Sequence, residues 1–274
     1  MSDFNYTVNW FHQNFTDNFI MLKKSNLIKY LTKIIRLFLF LIIYSSCSSG
    51  IYNPNSLNTP MLIQKNNTKL NLAVGTSGFD LQTAYAVTNQ IGIMANGAIT
   101  NYDAHYSDFK LLGISHPTDE KHRETFGELG IGFFSKKDTA TTWRWEIYSG
   151  YGEGKTIQTM QTDGTLVFQS PYQKYFFQPA LGNISGEFEF IWAFRYSYLT
   201  LGEIDWIGNV SNRRTIATNV LEPSFTARRG WKNIKFFYQI SAIVSSDLGT
   251  AIKLVDPHTL PIRFQIGVNV SLNN

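Results

Sequence analysis

The sequence holds a single cysteine in 274 residues, so an intrachain disulfide is excluded, and so is a metal site built from several thiolates. Charge is scarce, at 16% of residues, and the mean hydropathy of −0.14 is far too low for a bundle of membrane helices. No nucleophile elbow and no phosphate-binding glycine loop is present; GYGEGK at 150–155 lacks the length and a following Ser or Thr on a helix. The net charge of +4 does not indicate nucleic acid, because Lys23, Lys24, Lys29, Lys33 and Arg36 crowd into one N-terminal stretch and the remainder is close to neutral. What the chain has in excess is aromatic: 21 Phe, 14 Tyr and 6 Trp, 15% of residues, alongside much Asn, Thr, Ser and Gln. Rings of this kind suit strands that face lipid or an interface, and the length suits one barrel or one large sandwich.

From Met21 the chain runs through a basic start, an apolar stretch from Leu37 to Tyr44, two small residues (Ser45 and Ser46) and then Cys47. This is the three-part layout of a secretory signal. The apolar stretch is well short of the roughly 20 residues a helix needs to cross a bilayer about 30 Å thick, which argues against a mature membrane helix. Residues 1–20 precede the start expected at Met21, and 1–46 read together as leader and signal. The lone cysteine directly after two small residues resembles the lipobox of bacterial lipoproteins, with Tyr44 standing where that family usually has Leu. The resemblance implies acylation, palmitate included, on Cys47. Residues 47–67, with Pro54, Pro60 and repeated Asn and Ser, read as a tether without regular structure. No acidic run resembling a surface-export signal follows Cys47, so the tether is expected on the periplasmic side.

Residues 68–274 are dominated by a period of two. In 187–199, Phe188, Phe190, Trp192, Phe194, Tyr196 and Tyr198 share one face, while Glu187, Glu189, Ile191, Ala193, Arg195 and Ser197 share the other. In 262–272 the apolar Ile262, Phe264, Ile266, Val268, Val270 and Leu272 alternate with Arg263, Gln265, Gly267, Asn269 and Ser271. Similar alternation marks 128–133 and 234–241, and weaker windows fall at 69–75, 79–87, 91–101, 142–152, 175–183 and 216–228. The windows predict an all-β protein, an antiparallel up-and-down transmembrane β-barrel of about ten strands, with eight as the alternative. Most are near the 9–11 residues that a tilted strand needs to cross a membrane. Short links near 88–90, 135–141, 184–186 and 229–230 alternate with long ones at 102–123, 153–174, 200–215 and 243–261, as outer-membrane barrels alternate periplasmic turns with outer loops. A soluble, lipid-anchored β-sandwich with the aromatic faces as its core is the competing architecture.

The lipobox-like leader, the YNPN…P tether and the run LNLAVGTSGFDLQTAYAVTNQIGIMANGAI resemble a group of lipidated outer-membrane β-barrel proteins of Bacteroidetes, over about a third of the chain. The resemblance implies a bacterial outer-membrane location and a barrel, and no activity. The chain ends VSLNN, where barrel-assembly signals commonly end in an aromatic residue.

With the apolar faces outward, the lumen receives Glu124, Glu128, Arg144, Glu146, Glu189, Arg195, Glu222, Arg228, Lys235 and Arg263, charges of both signs that are expected to pair and close a narrow barrel. His105, His116 and His122 lie with Asp103, Asp108, Asp119 and Glu120 around the 102–123 loop, where they could serve a hydrolase or lipid-modifying enzyme, though their spacing matches no metal motif. The expectation is a barrel lipoprotein with a binding or envelope-assembly role. It needs no cofactor and meets outer-membrane lipid and other envelope proteins. Trp143 and Trp231 fit an interfacial girdle, and Trp206 is the better candidate for an external contact.

Overall fold

The computed structural model describes residues 55–273 except 77, 104–119, 137–140, 161–165, 203–204, 207–215 and 246–261. Ten strands form a closed antiparallel barrel: β1 (Asn67–Gly75), β2 (Gly78–Ala86), β3 (Ile91–Asp103), β4 (Glu120–Phe134), β5 (Trp143–Met160), β6 (Leu166–Ser185), β7 (Phe188–Leu201), β9 (Ile216–Gly230), β10 (Ile234–Ala242) and β12 (Ile262–Asn273). Each pairs with its neighbour in sequence, and β12 pairs β1 to close the ring. Two short strands extend the sheet, β8 (Asp205–Trp206) beside β6 and β11 (Val244–Ser245) beside β9. The ten-strand count therefore holds over eight.

The side-chain alternation sets which face looks out. On β7, Phe188, Phe190, Trp192, Phe194, Tyr196 and Tyr198 are exposed, and Glu189, Ile191, Ala193, Arg195, Ser197 and Leu199 are buried. Exposure reaches 69% at Leu129, 61% at Ile131 and 63% at Ile266. Water would not tolerate a belt of this extent on a monomer, whereas lipid requires it. Along β7 the ten-residue step from Phe188 to Tyr198 spans about 33 Å of strand, or about 25 Å across a membrane at a tilt near 40°. The sandwich architecture is overturned: the aromatic faces are the outside of a closed cylinder, and most of the side chains buried inside are polar.

The connections confirm two unlike mouths. At one end the links run from two to eight residues: 87–90, 135–142, 186–187 and 231–233. Gly186 takes φ 57° at the first of two turn residues, the position a II′ hairpin turn reserves for glycine. The longest links, 104–119, 202–215 and 243–261, lie at the other end, together with the shorter 76–77 and 161–165. Here the sequence expectation needs correction. Strands β5 and β6 continue through most of 153–174, leaving 161–165 between them, and β3 and β4 take up both ends of the 102–123 loop. GYGEGK lies wholly within β5. Gly150 and Gly154 leave no room for a Cβ because Phe176 and Tyr172 lie across them, so these glycines make a flat strip on which inward aromatic rings rest. On β6, Pro179 has no N–H to donate, and the β6–β7 ladder is interrupted beside it.

Candidate functional site

A barrel of ten strands whose inner face carries Asn71, Gln82, Asn96, Glu128, Glu146, Lys174, Gln178, Glu189, Arg195 and Gln239 has many buried polar groups to satisfy. Residues 55–62 satisfy much of that demand. They have no regular structure, in keeping with the tether expectation, but they are not a spacer outside the body: all eight are buried in the barrel interior. This corrects the 47–67 tether for its second half. The Ser56 hydroxyl donates to Asp80 Oδ2 at 2.8 Å, and Gln82 Nε2 donates to the Ser56 hydroxyl at 2.6 Å. Leu57 exchanges two bonds with one side chain, its N–H donating to Gln239 Oε1 and its carbonyl accepting from Gln239 Nε2, both at 2.9 Å. Asn58 donates to Asn96 Oδ1 at 2.6 Å, and its carbonyl accepts from Gln178 at 2.7 Å. Arg228 donates to the Thr59 carbonyl at 2.6 Å, and the Met61 N–H donates to Glu146 Oε2 at 2.8 Å. Met61 holds φ 49°, a left-handed conformation unusual for its type, and the bond to Glu146 helps to maintain it.

Two carboxylates organise the charges. Glu128 faces Lys174 Nζ at 3.0 Å and Arg195 Nη2 at 3.1 Å, and accepts from Asn96 at 2.6 Å and from Asn55 at 3.2 Å. The Arg195 Nε donates to Gln178 at 2.9 Å, and its guanidinium lies over the Phe176 ring. Nearer the short-turn mouth Glu189 holds Lys235 Nζ at 2.5 Å and Arg228 at 3.2 Å. Removing one member of such a buried set leaves an uncompensated charge, at a cost of about 3–5 kcal/mol.

Above Asn55, toward the long-loop mouth, the interior changes character. Ala98, Phe126, Tyr172, Leu199, Leu201, Val220 and Ile243 form an apolar cluster, with Phe126 and Tyr172 stacked at 5.7 Å. Tyr172 donates to Glu124 Oε1 at 2.5 Å, and His122 Nε2 lies 3.5 Å from Glu124 Oε2. His122 thus sits in β4 and faces the interior, not a solvated loop. His105 and His116 lie outside the described residues. No group of three or more metal-ligating side chains occurs among the described residues.

Of the other expected luminal residues, Glu222 is buried and accepts from the Ser197 hydroxyl at 3.2 Å, and Arg263 is buried on β12. Arg144 and Glu146 face inward on β5. Arg144 Nη1 and Glu146 Oε1 have no hydrogen-bond partner among the described residues. Sequence reasoning missed Lys174, Lys69 and Asp80, each buried. The signal for Lys174 was its place in the alternation Tyr172, Lys174, Phe176, Gln178, just outside a window begun at Tyr175. Trp143 and Trp231 are exposed at the short-turn end, and the Trp206 side chain lies outside the described set.

The chain matches no protein-family model and no curated protein. Among solved structures it is similar to the outer membrane protease OmpT from Escherichia coli (10% identity, 81% of this chain and 100% of that one, TM-score 0.45). It is also similar to the translocator domain of the autotransporter NalP from Neisseria meningitidis (10%, 74% and 86%, 0.40) and to outer membrane phospholipase A from Escherichia coli (14%, 85% and 97%, 0.29).

Proposed function

We propose that this chain is an outer-membrane β-barrel lipoprotein, anchored through an acylated Cys47, whose lumen is closed by its own residues 55–62. In this reading it does not conduct solutes. It binds a partner through its long loops or serves an envelope assembly. The leader and first strands resemble the lipidated barrel proteins of Bacteroidetes, which fits this reading. One observation carries the closure: backbone and side-chain groups of Ser56, Leu57, Asn58, Thr59 and Met61 are matched to luminal groups on seven different strands, β1, β2, β3, β5, β6, β9 and β10. A filling matched on so many sides supports a lumen without a continuous water path.

The test is conductance in planar bilayers. Wild type is expected to be silent, and a variant lacking 55–62 is expected to open steady channels. Steady conductance by wild type would sink the proposal. Palmitate incorporation that is lost in Cys47→Ala tests the anchor separately.

A second reading is favoured by the His122–Glu124 pair beside an apolar cluster: a hydrolase or lipid-modifying enzyme working at the long-loop mouth. Simultaneous substitution of His105, His116 and His122 would abolish turnover of a lipid or ester substrate in that case. The binding reading expects no such turnover from either protein.

A further inference from the structure

The buried segment has a direction. Its successive residues meet successive levels of the barrel wall, and β2 and β4 read those levels independently. On β2, Leu62 packs with Ala86 and Ala84 near the short-turn end. Asn58 donates to the carbonyl of Thr83, and Ser56 bonds to Gln82 and Asp80, near the Gly78 end of β2. On β4, Leu62 clusters with Phe134, the last residue of the strand at the short-turn mouth, whereas Asn55 reaches Glu128, six residues further toward the long-loop mouth. Chain number therefore falls steadily from the short-turn mouth toward the long-loop mouth. At the lower end the exit is fixed, because Asn66 donates to the Ala86 carbonyl and Asn67 begins β1 there.

We propose that the chain enters the barrel from the long-loop mouth, so that Cys47 stands at that face of the membrane, opposite the end at which β1 begins and β12 finishes. The path rests on the contacts of residues 55–66; the statement about lipid rests on the acylation proposed above. Reach permits it. Cys47 stands eight positions before Asn55, a reach of up to about 28 Å when extended. On the short side of the barrel Ser56 is already level with Asp80, two residues from Gly78 at the rim. On the tall side Glu128 lies eight residues below Glu120, which is about 20 Å along the axis at a tilt near 40°. A lipidated Cys47 can thus clear either rim and seat its acyl chains in the leaflet on the long-loop side. Return to the short-turn mouth would require a second strand of chain past Leu57, Thr59 and Leu62, where the cross-section is already filled. Since long loops mark the cell surface in outer-membrane barrels, the lipid would be displayed outward, the reverse of the periplasmic tether that the sequence suggested.

The test uses full-length protein in cells and a membrane-impermeant maleimide. A flexible Gly/Ser linker of about ten residues with one cysteine is inserted between Ser49 and Gly50, and is compared with Thr76→Cys at the long-loop end and Lys232→Cys at the short-turn end. Heat-shifted gel mobility confirms that each variant is folded. The inserted cysteine is expected to label on intact cells together with Thr76→Cys, while Lys232→Cys labels after permeabilisation alone. Labelling that follows Lys232→Cys, or that needs denaturation, overturns the path. Palmitate incorporation is read in parallel. Outward labelling without palmitate keeps the path and removes the lipid; palmitate with inward labelling does the opposite.

Discussion

Asn55 and Glu128 stand 73 positions apart and meet inside the barrel at 3.2 Å, beside Lys174 and Arg195, which approach the same carboxylate at 3.0 and 3.1 Å. The carboxylate thus joins the N-terminal segment to the wall and is shared as counter-charge by two buried cations.

Glu128→Ala is accordingly expected to destabilise the barrel by about 3–5 kcal/mol, because Lys174 and Arg195 lose their shared counter-charge. Urea unfolding in detergent micelles, followed by heat-shifted gel mobility, reads the change. A loss below about 1 kcal/mol would show that other groups compensate the cations.

Glu146 tests the segment from the other end. Its Oε2 accepts the Met61 N–H and its Oε1 has no partner among the described residues, so Glu146→Gln keeps the useful acceptor. The substitution is expected to change stability by less than about 1 kcal/mol, whereas Glu146→Leu strands the Met61 N–H and costs about 1–3 kcal/mol. Equal losses in the two variants would contradict the assigned bond.

Gly92 and Tyr148 form a steric pair with Leu62. A Cβ at Gly92 would come within 2.6 Å of both the Leu62 Cδ1 and the Tyr148 hydroxyl. Gly92→Ala should therefore cost about 1–3 kcal/mol through overpacking. Because the Tyr148 hydroxyl is buried without a hydrogen-bond partner among the described residues, Tyr148→Phe alone is expected to be neutral or stabilising, and to relieve part of the Gly92→Ala loss in the double variant. Strict additivity in the double-mutant cycle would count against this contact.

The membrane face makes a depth-dependent prediction. Phe194 lies near the middle of the exposed β7 row and Tyr198 near its upper end. Phe194→Arg is expected to cost about 2–4 kcal/mol of folding free energy in lipid, and Tyr198→Arg about 0–1. Equal penalties, or none in a vesicle-refolding titration, would be incompatible with a lipid-facing row.

The barrel was legible in the sequence wherever a strand meets lipid on one side and the lumen on the other. There the chain must alternate, and rows such as Phe188 to Tyr198 leave one in–out assignment open. Alternation also directed Glu128, Arg195 and Lys235 inward without any knowledge of their partners. The pattern fails where that contrast ends. Beyond the membrane, β5 and β6 are held by pairing with each other, so Thr156 and Ser170 are partners in a ladder while their sequences read as loop. Residues 55–62 were read as a spacer for a related reason: Asn, Ser, Thr and Pro have the same composition whether water or a polar lumen satisfies them. Local sequence thus determined the strands, their faces and the polar lining. Only the closed tertiary structure decided that Gln82, Gln178 and Gln239 surround one short stretch of the same chain, because those hydrogen bonds join positions up to 182 residues apart and exist only once the ring has closed.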